Sequence, residues 1–187
     1  MLLLVSDSSV LIDLERGGLL ESTFLSGHTL VVPDLLFENE LKDYNGNYLK
    51  ALGLAVTELN SDEVSMAQEI HTLRSGLSLE DCFALVCACR ANHILLAGDG
   101  LLRKEAATRN IACRGLLWLL DEMLASGKIS KNLLCEGINL CRNALNHSAR
   151  CCVSNAVVLH SKGLVSGFEF VSMNIRYDLL TSNIHAL

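Results

Sequence analysis

Apolar runs of three to six residues alternate with helix-patterned stretches along most of this chain. That alternation restricts it to an α/β architecture built on a parallel sheet. Leu2 to Ser6 suits a strand buried on both faces. Ser8-Ser9 and Gly17-Gly18 bracket a helix carrying Val10, Leu11 and Leu14. Thr29 to Val32, Leu54 to Leu59, His93 to Ala97 and Ile111 to Cys113 read as four further strands. Pro33 opens a helix that runs through Leu36, Glu40 and Leu41 to Asn45-Gly46. Ser61-Asp62-Glu63 starts another, which ends at Ser75-Gly76. Ser78-Leu79-Glu80-Asp81 has the form of a capping box before a helix over Cys82 to Ala91. Gly98-Asp99-Gly100 turns the chain into the next helix, and Gly115 precedes one over Leu116 to Ala125. The expectation is an open five-stranded parallel sheet flanked by helices over residues 1–127. Residues 128–162 read as a helical C-terminal addition, with one helix over Leu133 to Leu145, and 163–187 as a tail of uncertain order.

Composition narrows the function. Half the residues are apolar and 19% are charged, so a core can form and global disorder is excluded. Fifteen Lys+Arg against 21 Asp+Glu give a formal charge of −6, which excludes coating nucleic acid by bulk charge. It does not exclude an enzyme that carries metal ions to a phosphate, because then the acids are the equipment. The apolar start lacks the basic flank and cleavage site of a signal peptide, and no apolar run is long enough to span a membrane. Eight cysteines without any C-x-x-C argue against zinc and for reduced thiols in a cytoplasmic protein.

The acids at strand ends carry the chemistry. Asp7 follows the first strand and Asp99 the fourth; Asp81 lies in the first turn of its helix, and Glu40 within the helix after the second strand. In an open parallel sheet, ligands collect at the carboxyl ends of the strands. Clustered carboxylates need a cation, and hard oxygen donors suit Mg²⁺ or Mn²⁺. Each acid also has a structural reading: Asp7 as a helix cap, Asp81 as a first-turn acid favoured by the dipole, Asp99 as a turn residue and Glu40 as a solvated helix residue. There is no G-x-S-x-G, no G-x-G-x-x-G and no Walker loop.

Four segments taken together resemble the PIN-domain family: Val5-Ser6-Asp7-Ser8-Ser9-Val10-Leu11-Ile12; Val32-Pro33 through Glu40-Leu41; Leu77-Ser78-Leu79-Glu80-Asp81-Cys82-Phe83-Ala84-Leu85; and Leu95-Leu96-Ala97-Gly98-Asp99. The resemblance covers about residues 1–125. It implies strand order 3-2-1-4-5 and a Mg²⁺- or Mn²⁺-dependent endoribonuclease with Asp7, Glu40, Asp81 and Asp99 as catalytic metal-binding acids. Glu38 is the alternative second acid, because the stretch from Pro33 to Glu40 is one residue longer than the family pattern. Ser8 or Ser9 would support Asp7. Members of the VapC-like type are toxins held inactive by a protein antitoxin, and pairing into homodimers is common among them. A catalytically weak PIN-like scaffold is the competing reading.

Arg90, Arg103, Lys104, Arg109 and Arg114 gather around the fourth strand, and Arg103 and Lys104, about one turn after Asp99, are candidate RNA-phosphate contacts. Leu116, Leu117, Leu119 and Leu120 are candidates for an apolar homodimer surface, and Trp118 for core or that surface. The six histidines are scattered and receive no role.

Overall fold

The first strand takes the middle of the sheet, so both of its edges are paired and its carboxyl end opens between two neighbours. The computed structural model describes residues 3–145; the expectations for 146–162 and for the tail 163–187 lie outside them. Strands β1 (Leu3–Ser6), β2 (Thr29–Pro33), β3 (Ala55–Thr57), β4 (His93–Leu96) and β5 (Cys113–Arg114) are all parallel, in the order 3-2-1-4-5. Val5 lies opposite Val31 on one side and Leu95 on the other. Leu4, Val5, Leu30, Val32, Leu95 and Leu96 are fully buried, as strands covered by helices on both faces require.

The helices are α1 (Ser8–Arg16), α2 (Leu20–Phe24), α3 (Asp34–Leu36), α4 (Asn47–Leu52), α5 (Ser61–Leu73), α6 (Leu79–Cys87), α7 (Gly100–Thr108), α8 (Leu116–Ala125) and α9 (Lys131–Leu145). A π-helical segment, Phe37–Gly46, joins α3 to α4, with a kink at Asn45. The expected helix after the second strand is thus interrupted by wide turns. A wide turn takes up one extra residue without rotating everything beyond it.

Several boundaries differ from expectation. Pro33 ends β2 opposite Thr57 and caps α3, instead of sitting inside the helix. The unforeseen α2 turns Leu20 and Thr23 into the core, with the Thr23 hydroxyl donating to Leu19 O at 2.8 Å. Helix α6 stops at Cys87, short of Ala91, and Asn92 adopts φ 62° as the chain turns into β4. Strand β5 lies at Cys113–Arg114, later than Ile111 to Cys113. Leu116, Leu117, Leu119 and Leu120 are buried in the chain's own core and cannot form a dimer surface. Trp118 packs against that core only in part, with the Arg114 guanidinium 5.9 Å from its ring. Cys82 and Cys87 are free, buried thiols whose pKa burial pushes up to about 11, so they behave as small hydrophobes.

Helix α9 lies against α1, and Leu134 and Ile138 join the common core. Gly137 makes the approach possible: a Cβ there would stand 2.7 Å from Leu19 Cδ1 and 2.8 Å from Gly17 O.

Arg90, beyond the end of α6, clamps α5 and the β3 exit. Its Nε and Nη2 grip Glu63, each at 2.7 Å; Nη1 reaches Thr57 Oγ1 at 3.0 Å and Nη2 reaches Glu58 O at 2.7 Å. Glu63 also closes the capping box of α5 with Asn60. The Arg90 hydrogen bonds hold the Glu63 carboxyl down at about 2, against an ordinary 4.5. Arg90→Ala should therefore cost about 2 kcal/mol at neutral pH in chemical unfolding. Arg90→Lys should recover less than half, because an ammonium cannot make the two-pronged contact. A depressed carboxyl contributes stability above its ordinary range and loses it as pH falls. The deficit of Arg90→Ala should thus shrink between pH 4.5 and pH 2.

Candidate active site

Asp7 leaves β1 in extended conformation (φ −76°, ψ 165°) and becomes the N-cap of α1. Its Oδ1 accepts from Val10 N at 3.0 Å and from the Ser9 hydroxyl at 2.8 Å, while Oδ2 accepts from Gly98 N at 3.1 Å. The side chain therefore ties the start of α1 to the end of β4. It is 4% exposed, and burial pushes its pKa from 3.8 up to about 6 despite those three donors. The Asp81 charge adds to the rise.

Asp81 and Asp99 are held in the same way. Asp81 is the third residue of α6, and its Oδ2 accepts from Ser78 N at 3.2 Å while Ser78 Oγ accepts from Asp81 N at 3.0 Å. Asp99 caps α7 through Oδ1, which takes Leu101 N at 2.8 Å and Leu102 N at 3.0 Å. Burial raises the Asp81 pKa, and the charges of Asp99 and Glu80 add to it. Asp7, Asp81 and Asp99 thus form a chain of repelling neighbours, each fixed by the first turn of its own helix. The sequence offered capping and acid chemistry as alternatives; the caps are real, and each holds a carboxylate oxygen against backbone N–H.

The π-helical segment separates the two candidate second acids. Glu40 Oε2 accepts from the Ser8 hydroxyl, next to Asp7. Glu38 turns to Lys42 on the exposed side and pairs with it. Ser9 supports Asp7 directly, whereas Ser8 supports Glu40. Glu80 is partly buried and accepts from Asn39 Nδ2 at 2.7 Å.

Arg103 Nη1 donates to Ala97 O at 3.2 Å, which brings its guanidinium to the end of β4. Lys104 instead lines a groove between α7 and the connection after α5, with Leu73, Arg74 and Leu101. The two cations therefore face different surroundings.

Two residues went unnoticed in the sequence. Gly98 supplies the donor to Asp7 Oδ2, and a Cβ there would stand 2.9 Å from Ser9 Oγ. The signal was a glycine between the fourth strand and Asp99. Asp34, at the carboxyl end of β2, buries Oδ1 without a hydrogen-bond partner; its place directly after a strand was the same signal that singled out Asp7.

The donors are hard carboxylate oxygens, one of them buried, and that donor chemistry fits Mg²⁺ or Mn²⁺. Among the described residues, no group of three or more His, Cys, Asp or Glu side chains stands ready to hold a metal ion.

Asp7 makes a pH prediction for the metal-free protein. Its folded pKa of about 6 lies above the ordinary 3.8, so the folded state holds the proton more tightly and stability falls as pH rises between them. Asn at position 7 abolishes that slope but sets an amide donor against Gly98 N–H, a deficit present at every pH. In urea unfolding with a chelator, Asp7→Asn should gain on the parent by about 2 kcal/mol between pH 4 and pH 7. A difference that stays flat across this range would show that Asp7 carries no such penalty.

No helix among the described residues is long and apolar enough to cross a membrane. No curated protein matches the chain. The family model described as a PIN domain matches residues 3–145, which hold the entire sheet and all the acids named above. The chain belongs to the PIN-domain family, whose fold is that of nuclease-type hydrolases acting on nucleic acid.

Proposed function

We propose that this PIN domain is a Mg²⁺- or Mn²⁺-dependent endoribonuclease that hydrolyses RNA phosphodiester bonds through Asp7, Glu40, Asp81 and Asp99. The observation that carries the reading is the Asp7 carboxylate, buried at the end of the central strand within the field of Asp81. A cation bound among these acids would supply the positive charge that activates a water and offsets charge building on the phosphate. The protein's part is orientation. The helix caps hold Oδ1 of Asp7, Oδ2 of Asp81 and Oδ1 of Asp99 against backbone N–H groups, which sets where the other oxygen of each acid lies. Ser8 holds Glu40 toward the same strand end, and Ser9 holds Asp7. Arg103, at the end of β4, is suited to a phosphate of the strand being cut, and Lys104, in the separate groove between α7 and the connection after α5, to a phosphate of another part of the RNA.

The finer assignment is a VapC-like toxin acting in the cytoplasm and paired with a protein antitoxin; its support is the resemblance of the acid-bearing segments. A homodimer would use apolar side chains other than the α8 leucines; Leu25, Leu73 and Leu101 are exposed. One observation favours the scaffold reading instead, namely that no three metal-binding side chains stand together among the described residues.

Cleavage rate against Mg²⁺ or Mn²⁺ concentration separates the readings. Glu40→Gln should lower the rate about 100-fold, the scale for removing one electrostatic group from a transition state. Glu38→Gln, which only frees Lys42, should keep most of it. Cleavage unaffected by either change would remove this segment from the site, and a parent with no metal-dependent cleavage would leave the scaffold.

A further inference from the structure

A groove of about 360 Å³ lies between α7 and the connection from α5 to α6, and none of the four candidate acids lines it. Gly76 lets the connection close on α7, since a Cβ there would stand 3.2 Å from Leu101 Cδ1. The groove begins beside two of the acids. Leu77 precedes Ser78, the hydrogen-bond partner of Asp81, and Leu101 N donates to Asp99 Oδ1 at 2.8 Å. From Leu101 to Thr108 the axis of α7 rises about 10 Å, room for about three nucleotides at roughly 3.4 Å each.

The charge of this groove is opposite to that of the chain. Its one acid, Glu105, is 6% exposed, and both carboxylate oxygens are taken: Oε2 by Arg74 Nε and Oε1 by Arg109 Nε, each at 2.8 Å. Two guanidinium groups on one carboxylate leave a positive excess. Lys104 adds to it, being exposed and without an ion pair among the described residues. A cationic groove in a chain of net charge −6 is complementary to an anion. Among the described residues no aromatic, Asn or Gln side chain lines it, so it holds nothing that would stack or read a base.

We infer that this groove is a backbone subsite for single-stranded RNA, in which Arg74 and Lys104 hold phosphates without regard to base sequence. The inference rests on the nuclease reading above and adds where the strand lies beyond the acids. A polynucleotide presents a negative charge at every residue, whereas a peptide does so only at its acidic side chains. A groove with two cationic donors and no free carboxylate suits the former. Arg74 is set for the task by Glu105, which Arg109 fixes from the other side. Leu73 and Leu101, exposed in the same groove, are what a protein partner would use instead.

The test titrates the full-length chain into fluorescein-labelled oligouridine at rising salt, with a chelator present, and reads binding by fluorescence anisotropy. Lys104→Ala should weaken binding and flatten the slope of log K against log salt by about 0.7, the amount for one phosphate contact on a single strand. Arg74→Ala should do the same, and the double variant should flatten the slope by about 1.4. Lys104→Arg keeps the charge and should retain the parent slope. Lys128→Ala removes an exposed cation outside the groove and should retain it too. Oligoadenosine should show the same losses as oligouridine, because a phosphate contact is blind to the base. Parent affinity and slope in Lys104→Ala, the result if the groove seats a protein, would overturn the inference. So would an equal loss in Lys128→Ala, losses that differ between the two oligomers, or a parent that binds neither in chelator. Cleavage of the same RNA in Mn²⁺ tests the nuclease reading separately: the predicted losses without any cleavage would sink that reading and leave the groove as an RNA-binding surface.

Discussion

One buried carboxylate organises the carboxyl edge of the sheet. Asp7 joins α1 to β4 through Val10 N and Gly98 N, and the Ser9 hydroxyl closes a third bond on it. Three donors would ordinarily draw a carboxyl below its usual range. Here burial outweighs them and the group titrates near 6. The fold therefore accepts an unfavourable charge at its centre, and the donors that hold Asp7 in place do not repay the loss of water. Stability is given up at the position where a bound cation would restore it.

The sheet was legible because its strands obey a simple rule: a strand covered on both faces is a short unbroken apolar run. Leu3–Ser6, Thr29–Pro33 and His93–Leu96 all fall within a residue of where that rule puts them. The edge strand β5 was misplaced because it pairs over two residues only, too few for any pattern. Helix α2, at five residues, is likewise too short to show a period. The helix at residues 37–46 failed for a different reason. Periodicity assumes 3.6 residues per turn, and this segment is wound more widely, so a helical period could not tell Glu38 from Glu40.

The sequence singled out Asp7, Glu40, Asp81 and Asp99 as candidates and could not show what holds each of them. The local sequence around Asp7, Asp81 and Asp99 permits a cap or an acid with chemistry to do, and sequence logic treats these as rivals. In three dimensions the capping is seen in all three, each side chain bonding an amide at the start of its helix. A helix N-terminus uses one carboxylate oxygen to satisfy its own amides, and in doing so fixes the other. What the sequence could not show was the partner across the fold. Gly98 for Asp7, Ser8 for Glu40 and Asn39 for Glu80 lie 91, 32 and 41 positions away, and no local pattern carries such pairings.

The central place of β1 has a consequence for how the protein is made. Its second edge stays open until residues 93–96 are available to pair with it, and Asp7 Oδ2 waits for Gly98. Contacts of such separation close late, because the loop between them must be brought together before any bond rewards it. A chain emerging from the ribosome therefore exposes Asp7 early, ionised and in water, and withdraws it only once β4 has arrived. The enclosure of this carboxylate cannot be complete before residue 98 has been made, although the residue itself is among the first to be synthesised.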